Sequence, residues 1–205
     1  MHCPTLKDLP EPPPSKRGWP WTEESTPLQH SMTDRQEWPP ITIVTPSYNQ
    51  GRFIEETIRS VLLQGYSNIE YLVLDGGSTD ESIRIIEKYS SRLTYWASDP
   101  DGGQSAAINR GLRMGTGLFA TWLNSDDLLC GKRFRDQNAT KAVWINRRSS
   151  FRALALSVGA LDIENNYTMD CELWGESLNA GAEFHYTDVR FEYYFQADLR
   201  LPCAA

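Results

Sequence analysis

Hydrophobic and polar positions follow two periods in the region that begins at Ile41. The run ITIVTP (41–46) is β-branched and ends in turn residues, so it predicts a buried strand. In residues 52–65, apolar side chains recur at helical spacing before a final glycine, which predicts an amphipathic helix. By the same criteria, strands are predicted at 69–75, 93–98 and 117–124, and helices at 78–90 and 105–115. Strands that alternate with helices are typical of an α/β fold with a mostly parallel central sheet and helices on both faces.

The start of the second predicted helix depends on a single motif. Ser78 precedes Glu81 by three residues, which is the spacing of a capping box. We therefore expect this helix to begin at Ser78, with the serine hydroxyl satisfying a free N–H group of the first turn.

The regions on either side of residues 41–129 have a different composition. Residues 1–40 are rich in Pro and Trp, and prolines at this density forbid a continuous helix or an inner strand. We expect an extended arm, and two alternatives stay open: an arm anchored on the body by Trp19, Trp21 and Trp38, or a disordered tail. Beyond Leu129 the periodicity weakens, and a basic cluster appears between residues 132 and 148. A solvated loop is its simplest interpretation, and a contact with acceptor phosphate or anionic lipid is the alternative.

Composition excludes several classes of protein. The chain has 205 residues, 40% of them hydrophobic, and a net charge of −7, which argues against nucleic acid as the main partner. No apolar run approaches the roughly 20 residues that cross a bilayer. The N-terminus lacks the apolar core of a secretion signal, so a cytoplasmic location is expected. The four cysteines and three histidines have no metal-ligand spacing, which favours free thiols over a zinc site.

Polar residues follow each of the four predicted strands at its carboxyl end. Ligands of open α/β sheets bind outside these ends, so the four segments predict a polar, acid-rich crevice. The fingerprints GxGxxG and GxxxxGK[ST] are absent, which leaves a dinucleotide or P-loop interpretation without support. The four segments are Thr45-Pro46-Ser47-Tyr48-Asn49, Asp75-Gly76-Gly77-Ser78, Asp99-Pro100-Asp101-Gly102-Gly103 and Asn124-Ser125-Asp126-Asp127.

The neighbouring acids Asp126 and Asp127 need an explanation, because like charges at contact distance repel. One alternative is a solvated turn in which an Asp caps the following segment. The other is a hard divalent cation, Mg²⁺ or Mn²⁺, which takes oxygen ligands and would let the crevice accept a phosphate.

Four segments resemble, in order, the family 2 glycosyltransferases of the GT-A fold. They are ITIVTPSYNQGRFIEETIRSVLLQGY, YLVLDGGSTDESIRIIEKY, SDPDGGQSAAINRGL and TWLNSDDLL, and the resemblance resumes from about Ala155 to Val189. It implies a GT-A-like nucleotide-diphospho-sugar transferase fold over residues 41–190. Residues 41–129 would form the nucleotide-sugar half, residues 130–190 an abbreviated acceptor half, and residues 191–205 a C-terminal tail.

The resemblance also assigns site residues. It implies that Asp126 and Asp127 are the metal ligands, although Asn124 replaces the first acid of the DxD motif, and that Asp170 is the general base. Glu172 is the reserve base, and Asp170 could instead be a helix N-terminal acid. The residues that would bind the nucleotide and donor are Thr45, Pro46, Tyr48, Asn49, Asp75, Ser78, Asp101, Gln104, Asn109 and Asn124.

The implied activity is inverting transfer of a sugar from a nucleoside diphosphate sugar to an acceptor hydroxyl of a polysaccharide or glycolipid precursor. The implied cofactor is Mg²⁺ or Mn²⁺, and the implied partners are the donor and a saccharide or lipid-linked acceptor. Peripheral contact with the inner face of the membrane and the oligomeric state stay open. The alternatives are a nucleotide-sugar-binding relic without transferase activity, because the segment before Asp170 is short for the family, and a metal-dependent nucleotidyltransferase.

Overall fold

The computed structural model of the chain describes residues 3–27, 38, 40–129, 141–146, 161 and 185–190. For residue 119 and for the segments 141–146 and 185–190, the backbone alone is described. The strands are β1 (Ile41–Ser47), β2 (Ile69–Asp75), β3 (Tyr95–Ser98), β4 (Phe119–Trp122), β5 (Lys141–Asn146) and β6 (His185–Arg190). The helices are α1 (Ile54–Leu62), α2 (Ser82–Tyr89) and α3 (Gln104–Met114), with short 3₁₀ turns at Leu6–Asp8 and Ser90–Arg92.

The strands form one sheet in the order β3-β2-β1-β4-β5-β6. The four strands from β1 to β4 pair in parallel, whereas β5 pairs antiparallel with both β4 and β6. Strand β1 lies between β2 and β4, and every residue of β1 is buried. The predicted α/β class with a mostly parallel central sheet is confirmed for these strands.

Helices cover both faces of the sheet. Successive residues of each strand point to opposite faces, so an apolar strand presents side chains that must be buried on both of them. Ile43 of β1 packs with Ile58 of α1 and Ile86 of α2 in the larger core cluster. Val44, the next residue of β1, packs with Ile108 of α3 and Leu74 of β2 in the smaller cluster. The β-branched run of β1 thus supplies both cores, which explains why it has no polar alternation before its carboxyl end.

The close packing of α3 on β1 depends on Gly111. A Cβ atom at this position would lie 2.4 Å and 2.6 Å from the two methyl groups of Val44, which is fully buried. Gly111→Ala gains about 1 kcal/mol of helix propensity, but overpacking costs about 1–3 kcal/mol. We expect Gly111→Ala to lower the free energy of unfolding, as measured by urea denaturation. The exposed neighbour Arg113→Ala is the control and should leave it nearly unchanged; a Gly111→Ala variant as stable as wild type would contradict this packing.

The N-terminal arm packs on the body through residues 3–27. Trp21 is buried, and Trp19 and Trp38 pack against the larger core cluster. The backbone N–H of Ser25 donates to Leu63 O at 3.0 Å, and Trp19 Nε1 donates to Leu129 O at 2.8 Å. Of the two alternatives for the arm, the anchored one is therefore observed in its described part.

The second helix begins later than the capping-box prediction. Helix α2 begins at Ser82 with Glu81 as its N-cap, and Ser78 lies in the preceding loop. The hydroxyl of Ser78 accepts a hydrogen bond from Asn49 N at 2.7 Å and donates one to Asp75. The prediction of a start at Ser78 is wrong because this hydroxyl joins two strand-end loops instead of capping the helix.

Glu70 ties the amino ends of the strands together. Burial tends to raise the pKa of its carboxyl, but hydrogen bonds from Thr42, Thr116 and Gly117 hold the pKa below its ordinary value. A lowered folded-state pKa stabilises the fold at pH values above the unfolded pKa, and this contribution is lost as pH falls through the folded pKa. We expect Glu70→Gln to be less stable than wild type near neutral pH and to converge with it below about pH 4. Urea denaturation across pH checks this, and a constant difference between the two proteins at all pH values would contradict it.

No helix among the described residues combines the length and the apolar character that crossing a bilayer requires.

Candidate functional site

An open cleft of about 580 Å³ lies at the carboxyl ends of the parallel strands. Ser47, Asp75 and Ser98 are register partners in β1, β2 and β3, so these three strands end level at this edge. The walls come from the loops after the strands and from the first turns of α3. Six of the predicted site residues line the cleft: Pro46, Tyr48, Asp101, Gln104, Asn124 and Asp126.

One wall of the cleft carries an exposed aromatic ring beside a carboxylate. Tyr48 is 61% exposed, and Gly76 lies between it and Asp101. A Cβ atom at Gly76 would lie 3.1 Å from Asp101 Oδ1 and 3.4 Å from Tyr48 Cδ2, so the glycine allows this close approach. An exposed ring next to hydrogen-bond acceptors can stack on a planar heterocycle and leave its polar edge to the acceptors.

Asp75 organises the loop that follows β2. Its side chain is 2% exposed, and Oδ2 accepts hydrogen bonds from Ser78 N at 2.8 Å, Ser98 Oγ at 2.7 Å and Gly77 N at 3.2 Å. Its other oxygen, Oδ1, accepts from Ser78 Oγ. A carboxylate offers about four lone-pair positions, so this loop uses most of the capacity of Asp75. Its contact with a nucleotide stays a prediction, beside this observed role in shaping the loop.

Thr45 and Asn49, near the carboxyl end of β1, both make hydrogen bonds to other parts of the body. Thr45 Oγ1 lies 3.0 Å from the hydroxyl of Tyr71, a fully buried ring whose phenol pKa burial raises. Asn49 has a left-handed backbone with φ 52°, and its Oδ1 accepts a hydrogen bond from Thr79 N at 2.9 Å. Neither residue is among those that line the cleft, so their predicted contacts with the donor also stay predictions.

Asn109 connects α3 to a distant part of the chain. Its Nδ2 donates to Leu161 O at 2.9 Å, and its Oδ1 accepts from Leu161 N at 2.9 Å. The side chain is buried, and both polar groups of the amide are engaged in this pair. Asn109 thus holds the backbone at Leu161, and its predicted role in donor binding stays untested.

The two neighbouring acids occupy different environments. Asp126 is exposed and lines the cleft, whereas Asp127 is half-buried and is not among the lining residues. Burial raises the pKa of the Asp127 carboxyl, and so does the adjacent charge of Asp126. Across the cleft mouth, Gln104 Nε2 donates to Asn124 Oδ1 at 2.6 Å and joins α3 to this loop. Of these two neighbouring acids, Asp126 is therefore the one that a ligand in the cleft would meet.

A hard divalent cation needs oxygen ligands, which the carboxylates of this cleft could supply. Among the described residues, no group of three or more His, Cys, Asp or Glu side chains could enclose a metal. Mg²⁺ is usually held by one or two carboxylates together with the phosphates of its substrate. Asp126 in the lining of the open cleft fits a cation that is bound jointly with a phosphate ligand.

Several predictions from the sequence fall outside the described residues. They are the general base Asp170, its reserve Glu172, most of the basic cluster between residues 132 and 148, most of the abbreviated acceptor half 130–190 and the C-terminal tail 191–205. Conversely, the site contains residues that the sequence analysis did not assign. Ser47, Gln50 and Ser125 line the cleft, and they lie in the same strand-end loops as the assigned residues.

The sequence comparisons agree with this geometry. Residues 42–137 match the model for glycosyl transferase family 2. An uncharacterized glycosyltransferase of Haemophilus influenzae is 36% identical over 102 residues, which is 48% of this chain and 41% of the relative. Glycosyltransferase GlyG of Streptococcus pneumoniae is 34% identical over 92 residues, which is 43% of this chain and 31% of the relative. The match over residues 42–137 confirms, for this part of the chain, the resemblance to family 2 glycosyltransferases that its motifs indicate.

Solved structures show a partial similarity. Staphylococcus aureus TarS 1-349 in complex with UDP-GlcNAc aligns at 28% identity and a TM-score of 0.40, over 44% of this chain and 27% of that one. The mannosyltransferase PcManGT from Pyrobaculum calidifontis, in complex with GDP-Man and Mn²⁺, aligns at 21% identity and a TM-score of 0.44, over 66% and 41%. The match to the two curated relatives covers less than half of each relative's length.

Proposed function

We propose that the protein binds a nucleoside diphosphate sugar in this cleft and transfers the sugar to an acceptor hydroxyl. The single observation that carries the proposal is the cleft itself, where an exposed aromatic ring and an exposed acid line one pocket within a family 2 sequence. Tyr48 and Asp101 would receive the nucleotide, and Asp126 would lie at the diphosphate. A divalent metal, when bound, supplies Lewis-acid stabilisation of the diphosphate leaving group.

The side chains of the protein would orient the substrates and accept the proton that the reaction releases. In the proposed step, the acceptor oxygen forms a bond to the anomeric carbon, with inversion, as the bond from that carbon to the diphosphate breaks. The leaving diphosphate takes the electron pair, and Asp170 would take the proton of the acceptor hydroxyl as general base. Asp127, Thr45, Asn49, Asp75, Ser78 and Asn109 would support the loops that face the donor. The acceptor class proposed is a polysaccharide or glycolipid precursor.

Release of nucleoside diphosphate tests the proposal. A panel of UDP-sugars and GDP-sugars is incubated with the protein and Mn²⁺, with and without saccharide acceptors, and the freed UDP or GDP is quantified. We expect release from at least one donor, and loss of this release on chelation of the metal. Binding of a donor without release would favour the nucleotide-sugar-binding relic. Neither binding nor release with any donor would overturn the proposal.

A further inference from the structure

Helix α1 presents a buried polar face that the cleft does not use directly. Thr57 and Ser60 lie three residues apart on one side of α1, and Gln64 follows two residues after the end of the helix. Each of them is at most 3% exposed. Burying a polar group is costly unless it is hydrogen-bonded, so the partners of these three side chains show what this face is for.

All three side chains bind the backbone of the segment 125–129, which contains the acids and follows β4. Thr57 Oγ1 lies 2.8 Å from Ser125 O and 2.9 Å from Asp127 O, and its single hydroxyl proton is shared between these two carbonyls. Ser60 Oγ accepts from Leu129 N at 3.1 Å, and Gln64 Nε2 donates to Leu129 O at 3.2 Å. The segment is thus bound at Ser125, Asp127 and Leu129 by α1 and by Gln64 just beyond it.

The two carbonyls that Thr57 holds flank the exposed acid. Ser125 precedes Asp126, and Asp127 follows it. Of the two acids Asp126 and Asp127, Asp126 is the one that lines the cleft. Fixing the peptide groups on both sides limits the backbone rotations that could turn Asp126 away from the cleft. Ser60 supports this arrangement, because its hydroxyl donates to Thr57 O at 2.7 Å while it accepts from Leu129 N.

We infer that Thr57 is a positioning residue for Asp126: its hydroxyl sets the backbone that directs this carboxylate at the cation and diphosphate of the donor. The inference rests on the proposed function. Thr57 does not line the cleft, so it acts through the segment 125–127 and not by touching the donor.

The test compares Thr57→Val, which keeps the shape and removes the hydroxyl, with Thr57→Ser, which keeps the hydroxyl. Calorimetry measures the affinity for UDP or GDP, whichever wild type binds, with Mn²⁺ and with chelator. We expect Thr57→Val to weaken binding in Mn²⁺ about tenfold, because two buried carbonyls lose their donor. The affinity in chelator should change by less than about twofold, since Tyr48 and Asp101, which are proposed to receive the nucleotide, do not depend on this hydroxyl. Thr57→Ser should restore the affinity in Mn²⁺.

Two controls separate positioning from loss of stability. Thr42→Val removes another buried threonine hydroxyl, which donates to Glu70 and accepts from Gly117 N at the opposite edge of the sheet. It should lower the melting temperature and leave both affinities unchanged. If Thr57→Val does not fold, Thr57→Ala takes its place. Equal affinities of wild type and the Thr57 variant in Mn²⁺ would overturn the inference alone. Binding by wild type that Mn²⁺ does not tighten would also overturn the inference alone, whereas no binding of either nucleotide, together with no release from any donor, would overturn the proposed function and the inference with it.

Discussion

Asp126→Asn should abolish the metal-dependent part of nucleotide binding while it leaves the fold intact. Asn has nearly the same shape, and Asp126 is exposed, so the backbone of the segment 125–127 keeps its bonds to Thr57. A bound divalent metal contributes several kcal/mol of charge stabilisation, so the loss should be about 10²–10³-fold in affinity or in diphosphate release. Calorimetry with UDP or GDP in Mn²⁺, together with the release assay, measures both.

The sign of the effect should reverse when the metal is removed. In chelator, the Asp126 carboxylate repels a bare diphosphate, so Asp126→Asn should bind the nucleotide as well as wild type or slightly better. Asp99→Asn is the matched control, because Asp99 is an exposed acid at the same sheet edge that does not line the cleft. Equal losses for both variants in Mn²⁺ would show that overall charge, and not the position of Asp126, determines binding.

Arg59→Met should lower the free energy of unfolding strongly, because Arg59 joins the N-terminal arm to α1. Arg59 is fully buried, and its guanidinium donates to three carbonyls of the arm and to Tyr89. The distances are 2.8 Å to Pro10 O, 3.1 Å to Pro20 O and 3.1 Å to Trp21 O. Tyr89 in turn donates to Glu55 Oε1 at 3.0 Å, which places a negative charge one residue away from the guanidinium.

Loss of this guanidinium leaves buried carbonyls without donors, so we expect Arg59→Met to lower the free energy of unfolding by about 3–5 kcal/mol. Arg59→Lys should recover little of it, because a single ammonium cannot reach donors spread over a planar fork. Urea denaturation measures the change, and faster proteolysis within residues 3–27 should accompany it. Arg84→Met is the control, since Arg84 forms only an exposed pair with Glu81 and such pairs contribute little. An Arg59→Met loss as small as that of Arg84→Met would show that the arm is held by its apolar contacts alone.

The main elements could be predicted because each has a strong local signal. The β-branched runs gave β1 and β2 closely, and the helical spacing of apolar residues placed α1 and α3 within a few residues of their observed bounds. The start of α2 could not be placed, since the hydroxyl of Ser78 has two uses, a helix cap or a loop contact, and only the three-dimensional neighbours Asp75 and Asn49 select the second.

The location of the cleft could be predicted from the sequence, but the structural roles of the individual residues around it could not. The rule that carboxyl ends of parallel strands face ligands brought Tyr48, Asp101 and Asp126 to one pocket. The commitment of Asn109 to Leu161 could not be predicted, because it depends on a contact between residues far apart in the chain. The polar face of α1 was missed for a related reason: Thr57 and its neighbours look like ordinary helix residues until their partners are known.

Calorimetric titration of UDP and of GDP into the wild-type protein, with Mn²⁺ and with chelator, determines whether the cleft that contains Tyr48 and Asp126 binds a nucleoside diphosphate with a divalent cation. We expect saturable binding of at least one of the two nucleotides, tightened by Mn²⁺ in wild type and not in Asp126→Asn. Heats that match dilution for both nucleotides in Mn²⁺ would contradict it.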